Sequence, residues 1–260
     1  MSAPGSTARA AETAGGDFVR FSPRQRLEHA LVMSLFVVLA VTGFPQKFHN
    51  SGWAQGVVDL LGGLERVRFL HRAAGFLFAL LAATHVAMLI RDVASGRARL
   101  SMVPTRKDFQ DAITTLRYYL GVSDLQARFD RFDYRQKFEY WGLLLGGVVM
   151  VATGLLLYFP VAVASFLPGE LIPAAKVAHS NEGLMAFLVV IVWHIYNAHL
   201  SPEAFPFDRS IFTGRISRER MKHEHPLELV GSQRSGEEAV GTPSAQDEEH
   251  RSREAQAPDG

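Results

Sequence analysis

The 260-residue chain contains no cysteine. That absence excludes disulfides, c-type haem attachment through CxxCH, thiolate-held iron–sulfur clusters and cysteine nucleophiles. Net charge is nearly absent as well: 27 Lys and Arg against 26 Asp and Glu leave +1. No nucleic-acid partner is expected. Charge is also scarce within four long apolar runs, where much of the 48% hydrophobic content is concentrated. About 20 apolar residues at ~1.5 Å each cross a ~30 Å hydrocarbon core, so these runs read as membrane spans. A cleavable leader is not expected, because the first 26 residues are polar and no small-residue cleavage site follows a short apolar core. The first apolar run should then act as an uncleaved anchor.

The expected fold class is all-α, an integral membrane four-helix bundle with spans at residues 27–44, 69–90, 140–159 and 177–200. Gly43 and Pro45 should end the first span, and Pro160 the third. Between the second and third spans lie 47 residues, 91–137, with ten Lys or Arg. Within them Phe109, Ile113, Leu116 and Leu120 recur at helical spacing, which predicts an amphipathic helix on the membrane surface. Residues 1–17 and 231–260 lack apolar periodicity and should be disordered tails around a four-span unit at 18–230. Basic residues crowd the N-terminus, the second connection and the C-terminal tail, so both termini should be cytoplasmic.

What remains inside the apolar runs is histidine. His71 and His85 lie 14 residues apart in the second span, and His179 and His194 lie 15 apart in the fourth, about 22 Å along the axis. His29 sits in the first. Given the topology, His71 and His179 share the outer level, while His29, His85 and His194 share the inner one. A lone histidine in a span can simply hydrogen-bond a neighbouring helix. Five at two matched depths on three helices point instead to two metal centres stacked across a bilayer, each held by a pair of neutral imidazoles, as in two b haems. His71 and His179 are each followed four residues later by glycine, Gly75 and Gly183, which leaves room for a porphyrin near the backbone.

At the inner level His194 can pair with His29 or with His85, and spacing does not choose. Fourteen α-helical residues fall ~40° short of four turns and fifteen overshoot by ~60°. His199, ~140° around from His194, reads as a surface residue. Arg68 and Arg72 could meet outer haem propionates, and Arg24, Arg26 or Arg91 inner ones. Glu182 is a candidate for a proton path. The triplet His223-Glu224-His225 reads as a solvated turn. A histidine-lined proton or metal transporter is the competing function, weakened by only four spans, no internal repeat and few intramembrane acids; a membrane anchor for a peripheral complex is the third.

The order of motifs resembles a known family. RQRLEH opening an apolar run that ends in TGFP, then RFLHR, then RQKFEYWG with a later ATG, and a fourth span with two spaced histidines, are similar to the di-haem cytochrome b subunits of membrane-bound formate dehydrogenases and nickel–iron hydrogenases. The segments HLSPEAFPFDRSIFTGRIS and EHPLE resemble the branch associated with multihaem c-type cytochromes. The resemblance implies His29 and His194 as inner haem ligands and His71 and His179 as outer ones. It also implies quinone exchange near the inner haem, where Asp133, Gln136 and Lys137 match, and a partner that is a multihaem cytochrome c or an iron–sulfur or catalytic subunit. The cellular location implied is the bacterial inner membrane. Two departures are visible: His85 is an additional candidate ligand, and the interval from His179 to His194 is one residue longer than in the better-known formate dehydrogenase subunits.

Overall fold

Each apolar run folds into a helix longer than itself. The computed structural model describes residues 17–97, 100–202 and 204–231; apart from Asp17 and Gly231, the two expected tails lie outside them. Helix α1 spans Pro23–Lys47, α3 Leu64–Ala94, α5 Tyr134–Tyr158 and α7 Leu171–Leu200. Polar ends carry these helices past the hydrocarbon-length core. Ser22 and Gln25 form a capping box ahead of Pro23, and Asp133 and Gln136 form another ahead of Tyr134.

Pro45 does not stop the first helix, contrary to expectation. The helix runs on to Lys47, and the Gln46 side chain donates to the Thr42 carbonyl at 2.9 Å. At α5 the proline does mark the boundary: Phe159 caps the helix and Pro160 opens a five-residue helix, α6, Pro160–Ala164. A nine-residue helix, α2, Gly52–Leu60, fills the first connection.

Helix α1 packs along α3 and α5 along α7, and the two pairs meet through α1–α7 and α3–α5. Large apolar side chains point outward: Leu80, Val148 and Val192 are each more than 60% exposed. Such a surface is stable in hydrocarbon and costly in water. The predicted surface helix is present as α4, Arg106–Tyr119, with Phe109, Ile113 and Leu116 exposed along one side. It is tied to α5 by a buried ion pair, Lys137 Nζ to Asp108 at 2.8 and 2.9 Å. Burial raises the Asp108 pKa, but the Lys137 ammonium and the Thr105 donors outweigh it and hold the carboxyl below its usual range.

The residues after the fourth span do fold, and they fold onto the N-terminus. Strand β1, Phe18–Val19, pairs antiparallel with β2, Arg215–Ile216. Helices α8, Ser210–Thr213, and α9, Arg218–Glu224, flank β2. Phe18, Ile216, Met221 and Leu229 form a small buried cluster. Beside it, Glu228 accepts from Arg20 at 2.9 Å and from Arg131 at 2.8 Å, which ties the N-terminus, the second connection and the C-terminal segment together. Burial drives the Arg20 pKa down to about 10, with Glu228 opposing.

His225 is also buried here, its Nδ1 donating to the Asp130 carbonyl at 2.8 Å. The triplet is therefore divided: the apolar cluster draws His225 inside, while His223 stays exposed to solvent as expected. Burial holds the His225 pKa down at about 3, against an ordinary 6.5. A histidine that must stay neutral when folded stabilises the cap fully above pH 6.5, and progressively less as pH falls toward 3. At pH 5 the loss is about 2 kcal/mol. Limited proteolysis should therefore release the cap faster at pH 5 than at pH 8, and His225→Phe should flatten that difference.

Candidate functional site

The bundle has one end that carries both described termini, here the terminal end, and an opposite, distal end. At the distal end His71 of α3 faces His179 of α7 with ring centres 6.2 Å apart. The Thr42 hydroxyl on α1 donates to the Val38 carbonyl at 2.6 Å, so its oxygen accepts from His71 Nδ1 at 2.9 Å. On α5, Thr153 donates to the Val149 carbonyl at 2.6 Å and accepts from His179 Nδ1 at 2.9 Å. Both imidazoles are thereby fixed as Nδ1–H tautomers, leaving the Nε2 lone pairs available.

The residue after each threonine is glycine. A Cβ on Gly43 would stand 3.0 Å from His71 Cε1, and one on Gly154 would stand 3.3 Å from His179 Cε1. Their lack of a side chain lets the rings lie against the helices. Of the two glycines named from sequence, Gly75 faces open space and Gly183 faces Met150 Cε at 3.5 Å.

At the terminal end His29 of α1 faces His194 of α7, again with ring centres 6.2 Å apart. Glu139 on α5 accepts from His194 Nδ1 at 3.0 Å. His85 does not face His194. Its Nδ1 donates to Glu28 at 2.8 Å and its Nε2 accepts from the Tyr140 hydroxyl at 3.2 Å, so both ring nitrogens are engaged.

The extra residue between His179 and His194 is absorbed by a change of winding. Val189–His194 and Tyr196–Leu200 are π-helical. At about 4.4 residues per turn in place of 3.6, the 15-residue interval falls roughly 50° short of four turns, close to that of 14 α-helical residues. The same winding moves His199 to roughly 50° from His194, beneath it, where it stacks on Phe207 at 4.3 Å. The expectation of a surface residue assumed an unbroken α-helix and is corrected.

These contacts reveal an internal repeat that sequence identity hides. Glu28 and Thr42, 14 apart on α1, hold His85 and His71 on α3; Glu139 and Thr153, 14 apart on α5, hold His194 and His179 on α7. The signal was available as a Glu followed 14 residues later by Thr-Gly in the first and third spans. Tyr140, the residue after Glu139, occupies the position that His29 holds after Glu28.

The other sequence candidates, Arg26 apart, have structural neighbours. Asp133 Oδ1 accepts from Gln136 N at 2.8 Å, and Gln136 Oε1 from Asp133 N at 3.2 Å, closing the start of α5. Lys137 is committed to Asp108. Arg68 meets exposed Glu65 at 2.9 Å, and Arg72 lies over the Tyr158 ring at 5.4 Å. Arg24 is held by Glu28 and Asp92 at 2.7 and 2.9 Å, and Arg91 by Asp92. Glu182 lies over Gly146, where a Cβ would be 2.5 Å from its Oε1.

Four spans holding intramembrane imidazoles in facing pairs, each level braced by side chains of neighbouring helices, define a membrane cytochrome b, an electron-transfer subunit. Residues 20–204 match the prokaryotic cytochrome b561 family, and the chain belongs to that family. It is therefore a haem-b-binding, multi-pass protein of the bacterial inner membrane. The chain is 23% identical over 183 residues to the cytochrome b556(fdo) subunit of formate dehydrogenase from Escherichia coli (strain K12), covering 69% of this chain and 78% of that one. It is 21% identical over 217 residues to the nitrate-inducible cytochrome b556(Fdn) subunit of the same strain, covering 82% and 92%. With the formate dehydrogenase cytochrome b556 subunit of Haemophilus influenzae it shares 24% over 211 residues, 80% of each. The cap after residue 204 lies beyond the family match.

Proposed function

We propose that this chain holds two b haems and passes electrons between a redox partner at the outer face and the quinone pool near the inner face. The observation that carries this reading is the pair of identical 6.2 Å imidazole separations. Two imidazoles bound to opposite sides of one metal, each through a nitrogen about 2 Å from it, have ring centres about 6 Å apart. His71 and His179 would hold the distal haem, and His29 and His194 the terminal one. The open space at Gly75 and the free Nε2 lone pairs suit this ligand set.

The crowding of basic residues beyond the terminal end favours a cytoplasmic location for it. The distal end is then outer, and the partner there is a catalytic or iron–sulfur subunit, as the formate dehydrogenase relatives suggest, or a multihaem cytochrome c. Bound haem b supplies one-electron exchange. The protein supplies the rest. Thr42 and Thr153 fix the outer imidazole tautomers, Glu139 fixes that of His194, and apolar helix faces exclude water. His85, with both nitrogens engaged by Glu28 and Tyr140, braces α3 against α1 and α5 and is not an iron ligand. Quinone exchanges electrons beside the inner pair near the head of α5, the end built by Asp133, Gln136 and Lys137.

A pyridine-haemochrome assay on the detergent-purified chain should give two b haems per chain. Absence of haem from folded protein made in haem-replete cells would overturn the reading. Thr42→Val and Thr153→Val should each weaken outer-haem retention about 10- to 100-fold, read by haem transfer to an acceptor protein, and leave the inner haem in place.

A further inference from the structure

Three buried side-chain atoms stand without a hydrogen-bond partner among the described residues: Arg26 Nε, His199 Nδ1 and Glu139 Oε1. All belong to the terminal end. Glu139 Oε1 is an acceptor beside His194, so a donor would satisfy it. The other two are on the helices that carry the inner imidazole pair. Arg26 precedes His29 by three residues, one α-helical turn, and His199 follows His194 by five, about one π-helical turn. Both therefore lie one turn nearer the membrane surface than the paired rings.

An arginine nitrogen withheld from water without an acceptor is costly, and it is stable only opposite an anion or polar acceptor. The surroundings hold both side chains in place. Phe207 stacks on His199 with the rings 4° from parallel, and Phe212 stacks on Phe207 at 5.5 Å. A Cβ on Gly214 would meet Arg26 Cδ at 3.3 Å, so the cap passes directly against that arginine.

The repeat provides a comparison within the molecule. Beside His85 and Tyr140, the position matching Arg26 is Lys137, already neutralised by Asp108. The residue five after His85 is Ile90, apolar and 63% exposed. Among the described residues, unpartnered polar nitrogens thus accompany the gap with two imidazoles and are missing from the gap with one.

We infer that Arg26 and His199 form a receptor for a carboxylate of the inner haem, a propionate directed toward the membrane surface. The assignment rests on the reading of His29 and His194 as the axial pair. Among the arginines considered for that role, Arg24 and Arg91 are occupied by Asp92, and Arg26 has the free buried nitrogen. Phe207 and Phe212 stack outward from His199 along this edge.

The test is a redox titration of the full-length, haem-loaded protein with Arg26→Gln, Arg26→Lys and His199→Phe, alongside haemochrome quantitation. Losing a donor to the propionate leaves its charge uncompensated and favours the ferric form. Arg26→Gln should shift the inner ferrous/ferric equilibrium about tenfold, or 59 mV for one electron. His199→Phe should shift it less, Arg26→Lys should restore most of it, and the outer haem should not respond. The propionate-bending band in the resonance Raman spectrum should move in the same variants. Unchanged inner potential and Raman band, with both haems present, would overturn the receptor. So would loss of a co-purifying anionic phospholipid in Arg26→Gln at unchanged potential, since a lipid phosphate would then be the occupant. If Arg26→Gln fails to assemble, His199→Phe carries the test alone. Retention of the inner haem in His29→Ala would be a separate result, against the axial assignment.

Discussion

Replacing His71 or His179 with alanine should lower the haem content from two per chain to one, and the surviving spectrum should be that of the inner haem. His29→Ala or His194→Ala should do the reverse. On the proposed ligation each iron would lose one of its two imidazole nitrogens, and no other imidazole of the described residues faces the vacated position: His85 is bound through both nitrogens to Glu28 and Tyr140. His85→Ala should accordingly keep both haems. Reduced-minus-oxidised spectra with haemochrome quantitation distinguish these cases. Two haems retained after the combined His71 and His179 changes would remove the outer assignment. Loss of the inner haem in His85→Ala, with retention in His29→Ala, would transfer that ligand role to His85.

The largest expected effect on stability lies in the cap. Arg20 and Glu228 are nearly inaccessible, with side chains 3% and 6% exposed. Breaking a buried ion pair by removing one partner costs roughly 3–5 kcal/mol, mostly from the charge left behind. Arg131 still reaches Glu228 at 2.8 Å, so Arg20→Met should fall near the lower limit, roughly 3 kcal/mol. The expected readout is rapid proteolytic release of the segment after residue 204, with two haems retained by the bundle. Replacing Arg20 and Glu228 together by apolar residues should recover much of the loss. A cap as resistant as that of the unaltered protein in Arg20→Met would show that the ion pair contributes little.

The spans and their number were legible because lipid imposes a simple rule: a helix must be long and apolar enough to cross. The facing of His71 and His179 was legible for a related reason, since few polar residues are tolerated inside a span and two histidines at one depth stand out. The supporting shell was not. Thr42, Thr153, Glu28 and Glu139 are ordinary residues until the packing of α1 on α3 and of α5 on α7 shows which ring each one touches. Register was the other obstacle. A fixed 100° per residue places His199 on the surface, and only the π-helical turns bring it beneath His194. Polar residues at the start of α5 were read as ligand-binding, and the packing gives them structural work as well: Asp133 and Gln136 cap the helix and Lys137 neutralises Asp108. At helix ends the same residue types serve both purposes, and sequence alone does not separate them.

Tyr140 has a consequence for the route of charge through the bundle. A molecule assembled from two identical hairpins would carry one centre on its axis at the distal end and two equivalent centres, one on each side, at the other. Electrons entering such a molecule would meet a fork. Here a phenol stands on one side where an imidazole stands on the other, and its hydroxyl closes directly onto His85 at 3.2 Å. On the proposed reading the fork has become a single wire, leaving by the α1–α7 side. Any diffusible carrier that collects electrons at that end must approach from the same side, and Tyr140→His would test whether the second branch can be reopened.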